Sequence, residues 1–238
     1  MSLVETDWLE KNIGKVKIID CSWHMPHTKR NGYNEYKIQH IPETIFFDLD
    51  LNSKKNTALP HMMIEIQNWE KIVSEMGIKK EDKIVIYDNS DVVSACRCWF
   101  SFIYFGHDPK LVHVLNGGLK KWIMEKRKVT TDLPRTQITN YKCIEKKELI
   151  KDKASIDKNI DNQEFKVIDA RSKERFEGKI PEPRKGLRSG NIKNSFCIPF
   201  NKCLNEDKTF KKKEELQNIF KLSLQNFDEK HIVFSCGS

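Results

Sequence analysis

The chain has 238 residues, of which 38% are hydrophobic, and 42 Lys and Arg against 34 Asp and Glu give it a formal net charge of +8. Its 10 Gly and 8 Pro are too few for a disordered or collagen-like chain, and its length suits one large domain or two small ones. The longest apolar stretch, residues 96–105, includes Arg97 and Ser101 and is shorter than the ~18 apolar residues that a membrane-spanning helix needs. We therefore expect no membrane span.

The first residues resemble no targeting segment. They lack the basic stretch and following apolar stretch of a secretory signal, and Glu5 and Asp7 are untypical of a transit peptide. The seven cysteines include no C-x2-C pair, so we expect neither a disulfide framework nor a zinc knuckle. These features predict a cytoplasmic protein, with the mitochondrion as the alternative, in which most cysteines are small buried hydrophobic residues.

The excess positive charge raises the question of nucleic-acid binding. Lysines alternate with acidic residues, for example at positions 79–82 and 145–148. Such mixing is typical of a solvated surface rather than of a basic stripe that follows phosphates. We therefore expect no nucleic-acid partner, whereas the net charge can attract small anionic substrates over a long range.

Strands and helices alternate through the first half of the chain. Short apolar runs predict buried strands, and apolar residues at helical spacing predict helices between them. The predicted strands are 16–20, 44–47, 83–87 and 111–115, and the predicted helices are 64–76, 92–105 and one that Gly117 and Gly118 open. Gly77 is expected to end the first of these helices. The alternation predicts an α/β fold in which helices cover a parallel sheet.

A polar stretch separates two similar halves. Residues 130–163 are rich in Lys, Asp, Asn and Thr and predict a linker and the entry to a second unit. Beyond it, the strand predicted at 165–169 matches the strand at 16–20, and residues 230–236 match residues 83–89. The matched segments are almost equally spaced in the two halves, which indicates a duplicated domain.

The repeat aligns a strand-ending aspartate and a later residue in each half. Asp20 precedes Asn89 by 69 residues, and Asp169 precedes Cys236 by 67 residues. The predicted domains are residues 1–129 and 164–238, on either side of the linker. Because roughly 40 residues that follow Asn89 in the first half have no counterpart after Cys236, we expect the second domain to be incomplete or built differently.

Cys236 is a candidate nucleophile because of its position. It follows an apolar run at the predicted carboxyl end of a parallel strand, which is where open α/β sheets bind their ligands. If the chain then turns into a helix, backbone N–H groups would point at the sulfur and favour the thiolate. The alternative is an ordinary buried cysteine, and position alone does not decide between the two.

Two arginines form a second candidate site. Arg175 and Arg184 lie nine residues apart across a turn that contains Gly178 and Pro183. Arginine can bind a planar carboxylate through two parallel hydrogen bonds, so the pair could hold a substrate carboxylate. The alternative is a pair of surface arginines that are neutralised by nearby glutamates.

Taken together, these motifs resemble those of the two-domain rhodanese superfamily and, within it, the 3-mercaptopyruvate/thiosulfate sulfurtransferases. The resemblance covers nearly the whole chain, and the arginine segment combined with Cys-Gly-Ser is highly specific. The matching stretches of the first half are Asp20-Cys21-Ser22-Trp23, His40-Ile41-Pro42, Phe46-Phe47-Asp48-Leu49-Asp50, Leu59-Pro60-His61-Met62, Ser94-Ala95-Cys96-Arg97 and residues 115–122. Those of the second half are Asp169-Ala170-Arg171, Arg175-Phe176-Glu177-Gly178, Glu182-Pro183-Arg184-Lys185-Gly186 and Cys236-Gly237-Ser238.

The resemblance implies tandem rhodanese-like domains, each a parallel sheet flanked by helices, and a sulfurtransferase that needs no metal and no cofactor. Cys236 would take sulfur from a small-molecule donor, 3-mercaptopyruvate or thiosulfate, and hold it as a persulfide. Thioredoxin, another thiol or cyanide would then accept the sulfur. Gly237 and Ser238 are typical of the mercaptopyruvate type, and Asn89 at the matching position implies a non-catalytic first domain.

The same resemblance implies individual roles. The catalytic residues would be Cys236, Ser238, Asp50 and His61, and the substrate-binding residues would be Arg175, Arg184 and Gly237. The two arginines would hold the substrate carboxylate and keto oxygen, which orients the substrate. The serine would form with the aspartate a relay that handles the thiol proton of the cysteine, and the histidine would assist it.

The sequence also departs from the family pattern. Residues 191–194 lack the Pro and Gly that fix the corresponding turn, and Glu43 stands where the family usually has Gly. The active-site loop stops at Ser238, so we expect these residues alone to have little or no sulfurtransferase activity and a longer carboxyl terminus to restore it. Two alternatives are a non-catalytic rhodanese-like interaction module and a cysteine phosphatase of the same fold, which would need an arginine five residues after Cys236.

Overall fold

The computed structural model describes residues 2–57, 59–183, 186–224 and 231–236, and the chain divides into two compact units, Met1–Lys147 and Glu148–Ser238. The first unit contains a sheet of five described strands and the second a sheet of three. All strand pairs in both sheets are parallel. The predicted α/β fold with parallel sheets and flanking helices is confirmed.

The strands of the first unit are β1 Leu3–Val4, β2 Lys17–Asp20, β3 Thr44–Phe46, β4 Ile84–Tyr87 and β5 Val112–Leu115. Their order across the sheet is β1-β5-β4-β2-β3. Asp20, the last residue of β2, lies opposite Phe46 of β3 and Tyr87 of β4. The carboxyl ends of these three strands therefore share one edge of the sheet, where a parallel α/β fold places its functional groups.

The helices of the first unit are α1 Thr6–Glu10, α2 Gly32–Ile38, α3 Ile66–Glu75, α4 Ala95–Tyr104 and α5 Gly118–Met124. Gly77 follows α3 with a φ of +67°, a conformation that residues with a Cβ atom rarely adopt. A Cβ atom at this position would also lie 2.8 Å from the carbonyl oxygen of Gln137. Gly77 therefore ends α3 as the sequence predicts.

Apolar residues of the central strands point alternately into two core layers. On one face of the sheet, Ile19 packs in a cluster with Trp69 of α3 and Phe102 of α4. On the other face, Ile18 packs in a cluster with Trp122 of α5. Because successive side chains of a strand point to opposite faces, a sheet that is buried on both faces requires the continuous apolar runs seen in β2 and β4.

The second unit repeats the central part of this arrangement. Its strands are β6 Lys166–Asp169, β7 Phe196–Cys197 and β8 Ile232–Ser235, in the order β7-β6-β8, and its helices are α6 Lys153–Asn162, α7 Lys173–Phe176 and α8 Lys213–Leu224. Ile168 of β6 packs with Ile198 and Leu224 in a small core. By their pairing, β6, β7 and β8 correspond to β2, β3 and β4 of the first unit.

Several elements are not evident from the sequence pattern, among them β1, α1, α2, α6 and α7. Helix α6 lies within residues 130–163, the stretch expected to be a linker. Asp152 caps the helix by accepting a hydrogen bond from the backbone N–H of Ser155 at 2.8 Å, and Gln163 ends it with a φ of +48°. Among the described residues, none of the helices combines the length and apolar character needed to cross a bilayer.

Candidate functional site

Cys236 directly follows β8, and its side chain is exposed. Ser235, the last residue of β8, lies opposite Asp169 of β6 in the parallel register. The Ser235 carbonyl accepts a hydrogen bond from the backbone N–H of Ala170 at 2.8 Å, which continues the strand pairing up to the cysteine. The candidate nucleophile therefore lies at the carboxyl end of a parallel strand, as predicted.

Cys236 differs from the other cysteines in its exposure. All seven cysteines lie within the described residues, and the other six are buried or half-buried. Burial raises the pKa of Cys96 to about 12 and that of Cys143 to about 11, and a hydrogen bond with Cys98 together with burial raises the pKa of Cys21 well above its usual value. Because the thiolate is the reactive form, these three buried thiols are poor nucleophiles.

The two sheets identify the first-unit counterpart of Cys236. The strand-ending aspartates of β2 and β6 lie opposite Tyr87 and Ser235 respectively. The residues that follow, Asp88 and Cys236, therefore occupy the same place in the two sheets. The prediction of Asn89 as the counterpart is wrong by one residue, because the apolar runs of β4 and β8 can be aligned in either register from sequence alone.

Asp88 is held by donors from the loop that joins β4 to α4. Its carboxylate accepts hydrogen bonds from the backbone N–H of Ser90 at 2.9 Å and from that of Ala95, the first residue of α4, at 2.7 Å. The Ser90 hydroxyl donates a third at 3.1 Å. Burial raises the pKa of Asp88, and these donors oppose the rise because they stabilise the carboxylate. The loop at this place in the sheet thus binds an anion through its backbone.

Asp50 and His61 are in direct contact in the first unit. With its proton on Nε2, the His61 imidazole donates a hydrogen bond to Asp50 Oδ1 at 2.7 Å. The side chain of His61 is 5% exposed, whereas that of Asp50 is 67% exposed. Trp23 donates from Nε1 to the other oxygen, Oδ2, at 3.0 Å. A buried imidazole paired with an accessible carboxylate is suited to moving a proton.

Arg175 is hydrogen-bonded to a buried glutamate. Its Nε and Nη2 atoms donate to Glu182 at 3.2 Å and 2.5 Å, and the Glu182 side chain is only 3% exposed. Arg171 donates from Nη1 to the same carboxylate at 2.7 Å. The hydrogen bond from Arg175 is the main reason why the pKa of Glu182 lies below its usual value. A substrate carboxylate could therefore bind Arg175 through Nη1 and the second N–H of Nη2, and any other approach would have to displace Glu182.

The strand-ending aspartates make the same backbone turn but have different neighbours. Asp20 accepts a hydrogen bond from the backbone N–H of Ser22 at 2.8 Å, and Asp169 accepts one from that of Arg171 at 2.9 Å. The Arg171 guanidinium also donates to Asp169 Oδ2 at 2.6 Å. In the first unit Ser22 supplies no such charge, and burial raises the pKa of Asp20 to about 7. Among the described residues, a guanidinium is thus hydrogen-bonded to the strand-ending aspartate of the second unit and none to that of the first.

The structure describes four of the seven predicted site residues, namely Cys236, Asp50, His61 and Arg175. The other three, Arg184, Gly237 and Ser238, lie outside the described residues. Trp23 and Glu182 are contacts of the candidate groups that sequence reasoning did not assign, and Asp88 is the first-unit counterpart of Cys236. Among the described His, Cys, Asp and Glu side chains, no three are grouped so as to hold a metal ion.

Comparison with known proteins gives consistent matches. Residues 5–125 match the family described as Rhodanese-like domain. "Thiosulfate/3-mercaptopyruvate sulfurtransferase 1, mitochondrial" of Arabidopsis thaliana is 36% identical over 259 aligned residues, which cover 99% of this chain and 68% of that protein. The 3-mercaptopyruvate sulfurtransferase of Mus musculus is 31% identical, with coverage of 100% of this chain and 82% of that protein.

Two solved structures are similar over the whole chain. SseA from Escherichia coli, described with the "Rhodanese" fold of 3-mercaptopyruvate sulfotransferases, has a TM-score of 0.86 and 26% sequence identity, covering 100% of this chain and 88% of that one. The Tum1 protein from Saccharomyces cerevisiae has a TM-score of 0.85 and 24% identity, covering 100% and 85% respectively. The similarity to Tum1 shows a shared fold.

Proposed function

This chain belongs to the rhodanese family, and we propose that it moves sulfur from 3-mercaptopyruvate or thiosulfate to a thiol or to cyanide through a persulfide on Cys236. The place of Cys236 supports this proposal most strongly. It is an exposed thiol directly after β8, at the position where the first unit surrounds the Asp88 carboxylate with backbone N–H groups. A loop of the same kind after Cys236 would stabilise its thiolate and the persulfide anion.

In the first step the Cys236 thiolate attacks the sulfur of 3-mercaptopyruvate. A sulfur–sulfur bond forms as the carbon–sulfur bond breaks, and the electron pair of that bond leaves with the carbon as the enolate of pyruvate. The enolate takes up a proton and becomes pyruvate, and the thiol proton of the donor is lost from the persulfide. With thiosulfate the leaving group is sulfite, and no proton transfer to carbon is needed.

In the second step an acceptor attacks the outer sulfur of the persulfide. A thiolate acceptor becomes a persulfide, or cyanide becomes thiocyanate, and in both cases Cys236 returns as the thiolate. Reduced thioredoxin is the protein acceptor that we propose. Because the cycle starts and ends with a reduced thiol, we place it in a reducing compartment, the cytoplasm or the mitochondrion.

The remaining predicted residues have roles in substrate binding and proton handling. Arg175 and Arg184 would bind the substrate carboxylate, and the buried Glu182 holds the Arg175 guanidinium in one orientation before the substrate arrives. Asp50 and His61, with Ser238, would take up and return the proton of the thiol step. The exposed carboxylate of Asp50 and the fixed imidazole of His61 are consistent with that role.

Mass spectrometry after incubation with 3-mercaptopyruvate tests the proposal, on a chain that continues past Ser238, because the sequence predicts little or no activity for these residues alone. We expect the wild type to gain one sulfur atom on Cys236 and to release one pyruvate per chain. Cys236→Ser should do neither, whereas Cys203→Ser, a change of a half-buried cysteine in the same unit, should behave like the wild type. Pyruvate release by Cys236→Ser at the wild-type rate would refute the proposal, and a wild type that gains no sulfur would support the non-catalytic interaction module instead.

A further inference from the structure

The Asp50 carboxylate has a fixed donor on each of its two oxygens. His61 Nε2 donates to Oδ1 at 2.7 Å and Trp23 Nε1 donates to Oδ2 at 3.0 Å. The side chain of Asp50 is otherwise mostly exposed, so water competes for both oxygens. A terminal carboxylate rotates easily about χ2, and two donors on different elements are needed to hold it in one orientation. The indole N–H is a donor only, so it can pair only with an acceptor.

Trp23 is itself held from three directions. Its backbone N–H donates to Ser94 Oγ at 3.1 Å, and the Ser94 hydroxyl donates to the carbonyl of Cys21 at 2.5 Å. Its ring packs against the large core cluster of the first unit. Its ring also meets the His61 imidazole in a T-shaped arrangement, with ring centroids 4.9 Å apart and an angle of 89° between the planes. Trp23 therefore contacts both partners of the Asp50–His61 pair.

The backbone and the imidazole of His61 are held by different residues. Its φ is +55°, in the left-handed region, and its carbonyl accepts a hydrogen bond from Arg97 Nη2. The backbone of His61 is thus fixed from one side by α4, while the imidazole is oriented on the other side by Asp50 and Trp23. A change in the orientation of the Asp50 carboxylate would therefore change the hydrogen bond that His61 Nε2–H donates to it.

We infer that Trp23 is a positioning residue for the Asp50–His61 pair. Its indole N–H fixes Oδ2, which leaves Oδ1 in place to accept from His61. The effect of Trp23 on catalysis rests on the proposed function, since Trp23 would act through Asp50 and His61. The loop after β4 anchors Trp23 through Ser94. The same loop binds Asp88, which stands where the second unit has Cys236.

The test compares Trp23→Phe with a matched control, Trp99→Phe. Phenylalanine keeps an aromatic ring but removes the indole N–H together with part of the ring, and the control carries the same loss of ring volume. Trp99 lies in the same unit, is also partly buried, and donates its Nε1–H to the carbonyl of Val112 at 3.1 Å. The His61 ring nitrogen resonances, assigned with His61→Gln, are recorded by long-range nitrogen–proton correlation, and kcat and KM are measured for 3-mercaptopyruvate.

We expect Trp23→Phe to move the His61 resonances in the direction in which Asp50→Asn moves them, and Trp99→Phe to leave them unchanged. We expect kcat to fall about tenfold, as for loss of one hydrogen bond to a charged group, with KM nearly constant. Unchanged His61 resonances in Trp23→Phe overturn the inference, as does an unchanged kcat in a protein that loads sulfur on Cys236. If Cys236 takes up no sulfur, the proposed function fails, and the resonances alone decide whether Trp23 positions the pair.

Discussion

Replacing Glu182 by glutamine should destabilise the second unit selectively. The Glu182 side chain is 3% exposed, and its two oxygens accept hydrogen bonds from Arg171 and Arg175. Removing one partner of a buried ion pair costs about 3–5 kcal/mol, because the remaining charge stays buried without compensation. Glutamine keeps one acceptor oxygen, so we expect a loss of about 3 kcal/mol in the free energy of unfolding.

Urea unfolding followed by two probes measures this loss. All five tryptophans lie in the first unit, so indole fluorescence reports that unit alone, while far-ultraviolet circular dichroism reports both units. Glu182→Gln should shift the circular-dichroism transition to lower urea and leave the fluorescence transition in place. The matched control is Glu177→Gln, which removes a more exposed pair with Lys179 at 2.6 Å and should cost much less, because water and salt screen an exposed pair.

The pH dependence of the same variant gives a second check. The pKa of Glu182 is lowered in the folded protein, mainly by its hydrogen bond with Arg175. A lowered folded pKa means that the stabilisation is present above the unfolded pKa and is lost as the pH falls through the folded pKa. The difference between wild type and Glu182→Gln should therefore shrink in acid. Equal midpoints for Glu182→Gln and Glu177→Gln at neutral pH would refute this account of the buried triad.

Two further predictions concern buried groups of the first unit and the exposed thiol. Burial raises the pKa of Asp20 from 3.8 to about 7. The wild type should therefore lose stability as the pH rises between these values, and Asp20→Asn should be more stable at about pH 8 by up to about 4 kcal/mol. Fluorescence-detected urea unfolding tests this, and parallel pH profiles would contradict it. Iodoacetamide should label Cys236 first by peptide mass spectrometry; earlier labelling of Cys21 or Cys98 would contradict that order.

Much of the fold is predictable because the central strands are buried on both faces. The continuous apolar runs of β2, β4 and β5 predict those strands to within one residue, and the helical spacing together with Gly77 predicts α3. Helix α6 is not predictable in the same way, because its sequence is mostly polar and it depends on the Asp152 cap. The family is also predictable, because the motifs that indicate it are short and local in sequence. The relatives confirm it.

The site is less predictable than the fold because its contacts cross long distances in sequence. Trp23 and Asp50 are 27 residues apart, and nothing in either local pattern indicates that an indole holds a carboxylate. The prediction of Asn89, and not Asp88, as the counterpart of Cys236 is wrong for a different reason. A shift of one residue between two apolar runs is invisible in composition, and only the hydrogen-bonded register of β2 with β4 resolves it.

The duplicated turns differ in charge, and this difference bears on our proposal that the second unit binds the anionic substrate. The substrates proposed here carry negative charge, and the first unit already holds two buried carboxylates, Asp20 and Asp88, at this edge of its sheet. Their mutual repulsion contributes to the raised pKa of Asp20, so a further anion would be repelled. In the second unit a thiol replaces the carboxylate of Asp88, and Arg171 stands where Ser22 stands in the first. These two differences, one in the residue after β4 and β8 and one in the turn after β2 and β6, support our proposal that the second unit binds the anionic substrate.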